Sequence, residues 1–257
     1  MRSFRRSAWI AVTLISLTGM AGAADIRVLS VGAVQNAVRA LAADFGTESG
    51  HHVVLTFGAP VVVTQKIKDG EVFDAVIVSE PAMDRLDQEG VVNPESRVPL
   101  AKTGMGVAVR AGAPLPDLST PEAFKQALLA AKSVVYGDPT LPNQSGEKAE
   151  RILVQAGILD ALKARLKIVP AQAASQELIA KGEVEMGLYN VSEIPEGKGL
   201  ALAGVVPALL QIATSYEGAV MSDGAEPQAA RAFIRFLANP EVRAKWVAAR
   251  LEPLADH

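Results

Sequence analysis

Short apolar runs alternate with amphipathic stretches along most of this chain, and that alternation limits the folds open to it. Residues 26–30 read as a strand, after which Val34, Val38, Leu41 and Phe45 recur at helical spacing. Residues 52–57 read as the next strand and 60–68 as a helix, with Pro60 near its first position, where a missing N–H costs little. The continuous apolar run 74–78 is a third strand, followed by a helix over 81–88. A strand–helix–strand order predicts an α/β fold with mainly parallel sheets and helices on both faces, because parallel neighbours need a covering crossover.

A second set follows the same rule. Residues 105–110 read as a strand, and a Pro-rich stretch leads to a helix over 121–131. Strands at 134–136, 166–169 and 185–189 then alternate with helices at 147–156 and 174–181. Residues 206–212 and 217–221 read as return strands, and 227–237 and 240–249 as closing helices, the second carrying Trp246. The pattern predicts two lobes, 24–103 with 207–257 and 104–206, joined by a two-segment hinge near 101–106 and 205–215. A single larger sheet is the alternative.

The first residues read as a targeting segment. Arg2, Arg5 and Arg6 precede the apolar run AWIAVTLISLTGM, and Ala21-Gly22-Ala23 supplies small residues for cleavage. A signal peptide over 1–23 is expected, with a periplasmic body. A membrane anchor would need about 20 apolar residues, and this run is shorter and carries Thr13, Ser16 and Thr18. The chain has no Cys, which excludes disulfides, thiol catalysis and Cys-ligated metal. A net charge of -3 with mixed signs and few aromatics argues against nucleic-acid binding.

In open α/β sheets, ligands sit beyond the carboxyl ends of the strands. Four turns meet that description: Ser30-Val31-Gly32-Ala33, Gly58-Ala59-Pro60-Val61, Gln144-Ser145-Gly146 and Pro170-Ala171-Gln172-Ala173-Ala174. Each opens a helix, whose free N–H groups and dipole favour an anion. Of these, the strand–loop–helix at 134–153 is the most informative, though an ordinary junction with Ser145 as N-cap reads the same way. Tyr189, after the last strand of the second set, adds a phenol, although alone it reads as a packed aromatic.

In order and spacing, Asn36-Ala37-Val38, Phe57-Gly58-Ala59, the run 74–79, Gly137-Asp138-Pro139 and Gly187-Leu188-Tyr189 resemble the periplasmic molybdate-binding proteins of ABC importers. The resemblance implies a two-lobed solute-binding fold, a permease partner in the inner membrane, a monomer, and no cofactor or metal. It also implies an oxyanion held by two serines, backbone N–H groups and a tyrosine. Those serine positions fall on Ala33 and on Pro60, flanked by Ala59 and Val61. The backbone contacts fall near Ser145 and Ala174, and the tyrosine on Tyr189.

The first lobe thus lacks both hydroxyls. Hydrogen bonds to a charged group contribute roughly 1.5–3 kcal/mol each, so two lost donors cost on the order of 3–6 kcal/mol, about a hundredfold to ten-thousandfold in affinity. The apolar cluster from Ala59 to Val63 instead suggests a wall for a carbon-bearing ligand. A small organic carboxylate is expected, with molybdate or tungstate as the alternative and a periplasmic sensing subunit as a third. An enzyme is disfavoured: Gly-x-Ser-x-Gly is absent, and His51, His52 and His257 have no metal-ligand spacing.

Overall fold

The alternation of runs becomes an alternation of elements. The computed structural model describes residues 22–254 apart from 142–144, 171 and 196, so residues 1–21 of the expected leader, Gln144, Ala171 and His257 lie outside the described residues. First come β1 (Asp25–Val31), α1 (Gln35–Ser49), β2 (His52–Gly58), α2 (Pro60–Lys68), β3 (Ala75–Ser79), α3 (Glu80–Gln88) and β4 (Val98–Thr103). After Gly104 follow β5 (Met105–Arg110), α4 (Pro121–Ala130), β6 (Val134–Gly137), α5 (Ser145–Gln155) and α6 (Leu159–Leu162). Then come β7 (Leu166–Val169), α7 (Gln172–Ala180), β8 (Met186–Asn190) and β9 (Leu200–Val205). Last are β10 (Thr214–Val220), α8 (Pro227–Ala238), α9 (Arg243–Ala248) and β11 (Glu252–Pro253).

Two sheets result, ordered β11-β4-β10-β3-β1-β2 and β7-β6-β8-β5-β9. β1 is parallel to β2 and β3, and β6 to β7 and β8. β10 is antiparallel to β3 and β4, and β5 to β8 and β9. The sheets are therefore mixed, which corrects the expectation of mainly parallel ones. β5 and β10 arrive directly from the other sheet, without the helical crossover that imposes a parallel sense. Residues 206–212 are likewise not a strand. They form the connection between β9 and β10, with a turn at 208–210 beside Pro207, which has no N–H to give a ladder. β4 escaped the sequence pattern because Pro99 interrupts it.

Each sheet buries its own core. Trp246 and Phe233 are fully buried against the first, and the Trp246 indole N–H donates to the Leu237 carbonyl at 2.9 Å. Side chains of β8 alternate across the second, Leu188 joining one cluster and Tyr189 another. The Asp74 carboxylate, buried at the head of β3, accepts from Arg27 N–H at 2.7 Å and Glu226 N–H at 2.8 Å, tying β1 to the start of α8.

The chain passes between sheets at Gly104 and again over residues 206–213. One side chain holds both crossings. Gln211 Oε1 accepts from Met105 N–H at 2.5 Å, while Nε2 donates to the carbonyls of Met105 and Val206, both at 3.0 Å. At the β6–α5 junction a glycine is obligatory for a different reason. A Cβ on Gly146 would lie 2.2 Å from the Gly137 carbonyl oxygen, so α5 can start against β6 only without one. Gly146→Ala should therefore cost about 2–3 kcal/mol through overpacking, roughly 4–12 °C of melting temperature for a chain of this size. Thermal unfolding followed by circular dichroism checks this.

The chain has three tyrosines, Tyr136, Tyr189 and Tyr216, all buried. Burial pushes Tyr136 and Tyr189 up to about 12 and Tyr216 higher still, from an ordinary 10.0. The folded state thus holds these protons more tightly than the unfolded chain. Their contribution to stability is complete below about pH 10 and falls as pH rises from there through about 12. An alkaline absorbance titration should show no tyrosinate step at pH 10 in the folded protein, and denaturant midpoints should start to fall only above it.

Candidate ligand-binding cleft

The carboxyl ends of β1, β2 and β3, with the helix starts that follow them, form one wall of a cavity of about 1170 Å³. The start of α5, the start of α7 and the segment after β8 form the other. Such a placement follows from strand direction, since parallel strands deliver their carboxyl ends and helix N-termini to one edge.

The first wall is apolar at the start of α2, carries Gln35 and Asn36 at the start of α1, and carries Ser79 and Glu80 at the start of α3. Ala33, Ala59, Pro60 and Val61 all line it. Helices α2 and α3 start without a side-chain cap hydrogen bond, which leaves first-turn N–H groups there open to a ligand or to solvent, whereas the Gln35 N–H at the start of α1 donates to the Gly32 carbonyl. On α2, Pro60 has no N–H and the Val62 N–H turns back to the Ala59 carbonyl at 2.9 Å, which leaves Val61 as the first donor. The wall attracts negative charge through dipoles, with no hydroxyl at Ala33 or Pro60.

The second wall is polar. Buried Ser145 starts α5, and Lys148, one turn on, reaches across the cavity. Its ammonium donates to Asn190 Oδ1 at 3.3 Å and to Thr214 Oγ1 on the first sheet. Asn190 Nδ2 in turn donates to Glu193 Oε2 at 2.6 Å, and Gln176 Nε2 donates to the Glu193 carbonyl at 2.7 Å. Burial lowers the Lys148 pKa against the opposing charges of Glu193 and Glu147. Burial also raises the Glu193 pKa, against the Asn190 hydrogen bond and the Lys148 charge. Arg151, Lys198 and Glu80 also line the cavity.

Of the seven residues expected from the sequence, the cavity brings together Ala33, Ala59, Pro60, Val61 and Ser145. Ala174 and Tyr189 are not among the lining residues, and both placements are corrections. Ala174 is exposed on α7, while Gln172, Ala173 and Gln176 of that helix face the cavity. Tyr189 is fully buried beneath α7, and its hydroxyl donates to Ser175 Oγ at 2.9 Å. Its ring lies back along its own strand over Gly187, where a Cβ would come within 2.6 Å of it. Strand alternation decides the point: Tyr189 belongs to the core face, so its neighbour Asn190 meets the cavity.

The sequence reading passed over Lys148, Asn190 and Glu193. Lys148 was recoverable, since it follows Ser145 by three residues and so shares its helix face. Nothing in the local pattern marks Glu193. Tyr189→Phe should lower stability by about 1 kcal/mol, one neutral buried hydrogen bond, and leave ligand affinity unchanged. Urea unfolding and calorimetry on the same variant separate the two effects.

A family model described as bacterial extracellular solute-binding protein matches residues 26–249. Aconitate isomerase of a Pseudomonas species is 33% identical over 224 residues, 84% of this chain and 83% of that protein. Among solved structures, the periplasmic molybdate-binding protein of Azotobacter vinelandii is 21% identical, with a TM-score of 0.73 over 90% of this chain and 100% of that one. The sulfate-binding protein SubI of Mycobacterium tuberculosis is 20% identical, with a TM-score of 0.72 over 90% and 87%. These structures share the two-lobed arrangement seen here. The family match spans nearly the whole described chain, and this protein belongs to the bacterial extracellular solute-binding protein family.

Proposed function

We propose that the protein captures a small organic polycarboxylate in its interlobe cavity and delivers it to the permease of an ABC importer. The observation that carries this reading is the pairing of unlike walls. One sets Ala33, Ala59, Pro60 and Val61 at its helix starts, and the other brings Lys148, Arg151 and Lys198, beside Glu147 and Glu193. A carbon skeleton with charged ends meets both requirements. The volume, about 1170 Å³, is on the scale of organic-ligand sites, roughly 300–1,000 Å³. A single tetrahedral oxyanion needs far less. The relative named for aconitate, a tricarboxylate, supports the same class.

That relative is named as an isomerase, which favours a second reading, turnover of the bound carboxylate. Isomerisation of an unsaturated acid needs a group that takes and returns a proton. Lys148 and Glu193 both line the cavity and are groups of that kind.

A thermal-shift and calorimetry panel of cis-aconitate, trans-aconitate, citrate, molybdate and sulfate tests the first reading. At a hundredfold excess over Kd a ligand adds about 2.7 kcal/mol, or roughly 5–11 °C for a chain of this size. The carboxylates should give that rise, and a rise with molybdate or sulfate alone overturns the proposal. Proton NMR of trans-aconitate left with the protein tests the second reading, since formation of the cis isomer establishes turnover.

A further inference from the structure

The surroundings of Lys148 support a step that rests on the carboxylate reading and sharpens it. Half-buried in the cavity, its ammonium stands between the two halves of the molecule, on Asn190 of β8 and Thr214 at the first position of β10. Both acceptors are neutral oxygens. The nearby Glu193 carboxylate oxygen accepts from the Asn190 amide instead, at 2.6 Å. Glu193 and Glu147 act on this ammonium through charge, without an ion-pair contact to it, and a partly desolvated ammonium hydrogen-bonded to neutral oxygens gains from direct contact with an anion. On the same wall the Ser192 hydroxyl oxygen is buried without a hydrogen-bond partner among the described residues.

We propose that Lys148 is the residue that selects a carboxylate: on ligand entry its ammonium leaves the Thr214 hydroxyl and takes a carboxylate oxygen of the ligand. In the structure the Lys148–Thr214 contact spans the cavity. In the loaded protein the ligand stands in that contact, reached by Lys148 from one side and by the helix N–H groups of the other wall. Thr214 is then a competitor for the lysine. This makes opposite predictions for the two partners of one hydrogen bond, which a purely structural pair does not.

Calorimetry with trans-aconitate and citrate on the wild type and on K148Q, K148R and T214V tests this. K148Q should bind about 10- to 150-fold more weakly, the loss of one charge-assisted hydrogen bond. K148R should recover most of that loss because the charge is kept. T214V should bind about 2- to 10-fold more tightly, since a neutral competitor has gone. Unchanged affinity in K148Q, equal losses in K148Q and K148R, or weaker binding in T214V each overturn the proposal while leaving the carboxylate reading intact. A wild type that binds neither carboxylate removes the reading itself. Melting curves show which variants are folded, and T214V decides the matter if K148Q is not.

Discussion

The amide of Gln211 is the contact on which the two-lobed arrangement turns. It satisfies a backbone donor and acceptor of Met105 together with the Val206 carbonyl, so one side chain holds both crossings between the sheets. The Met105 carbonyl also accepts from Val206 N–H at 2.9 Å, so Gln211 adds to a backbone bond at the point where β4 gives way to β5 across the single residue Gly104 and β9 ends before the turn at 208–210. An unpaired backbone group in such a place costs about 1–3 kcal/mol. The two sheets keep separate cores, and besides the short connections they meet through hydrogen bonds such as Lys148 to Thr214 and Arg250 to the Ile194 carbonyl. The cavity lies between them because the strand ends of both lobes point toward this junction.

Within the cavity the polar wall breaks the rule that buried charges are closely paired. Lys148, Asn190 and Glu193 form a chain in which the amide separates the opposite charges. Desolvation acts against both ends, lowering the lysine and raising the glutamate. Elsewhere the protein pairs charge directly. Arg97 meets Asp87 and Glu217 at 2.9 Å and 2.8 Å, and binds α3 to β10. The contrast separates a direct ion network from a chain of hydrogen bonds in which an amide keeps the opposite charges apart. Such departures from local rules concentrate at functional sites.

Much of this was legible along the chain. The strand–helix alternation, the helix starts at Pro60 and Ser145 and the two-part organisation all follow from apolar periodicity and turn residues. The elements that escaped are of one kind. β4 is broken by Pro99, β9 mixes Leu and Val with Ala and Gly, and β11 is an edge of two residues. Their pairing depends on partners far away in sequence, and no local pattern carries that information. The same limit explains the mixed sheets, since the sense of β5 and β10 depends on where the chain has come from.

By itself the sequence determined most of the strands and helices, and that several strands open into helix N-termini at their carboxyl ends. These are local properties, set by side-chain spacing and backbone chemistry. The tertiary structure alone decided which side chains meet across the cavity. It turned Tyr189 inward onto Ser175, placed Gln176 rather than Ala174 toward the cavity, and carried Lys148 across to Thr214. The reason is physical: a side chain's partner is fixed by which face of a strand or helix it occupies and by how two distant sheets dock, and neither is encoded within one turn of chain.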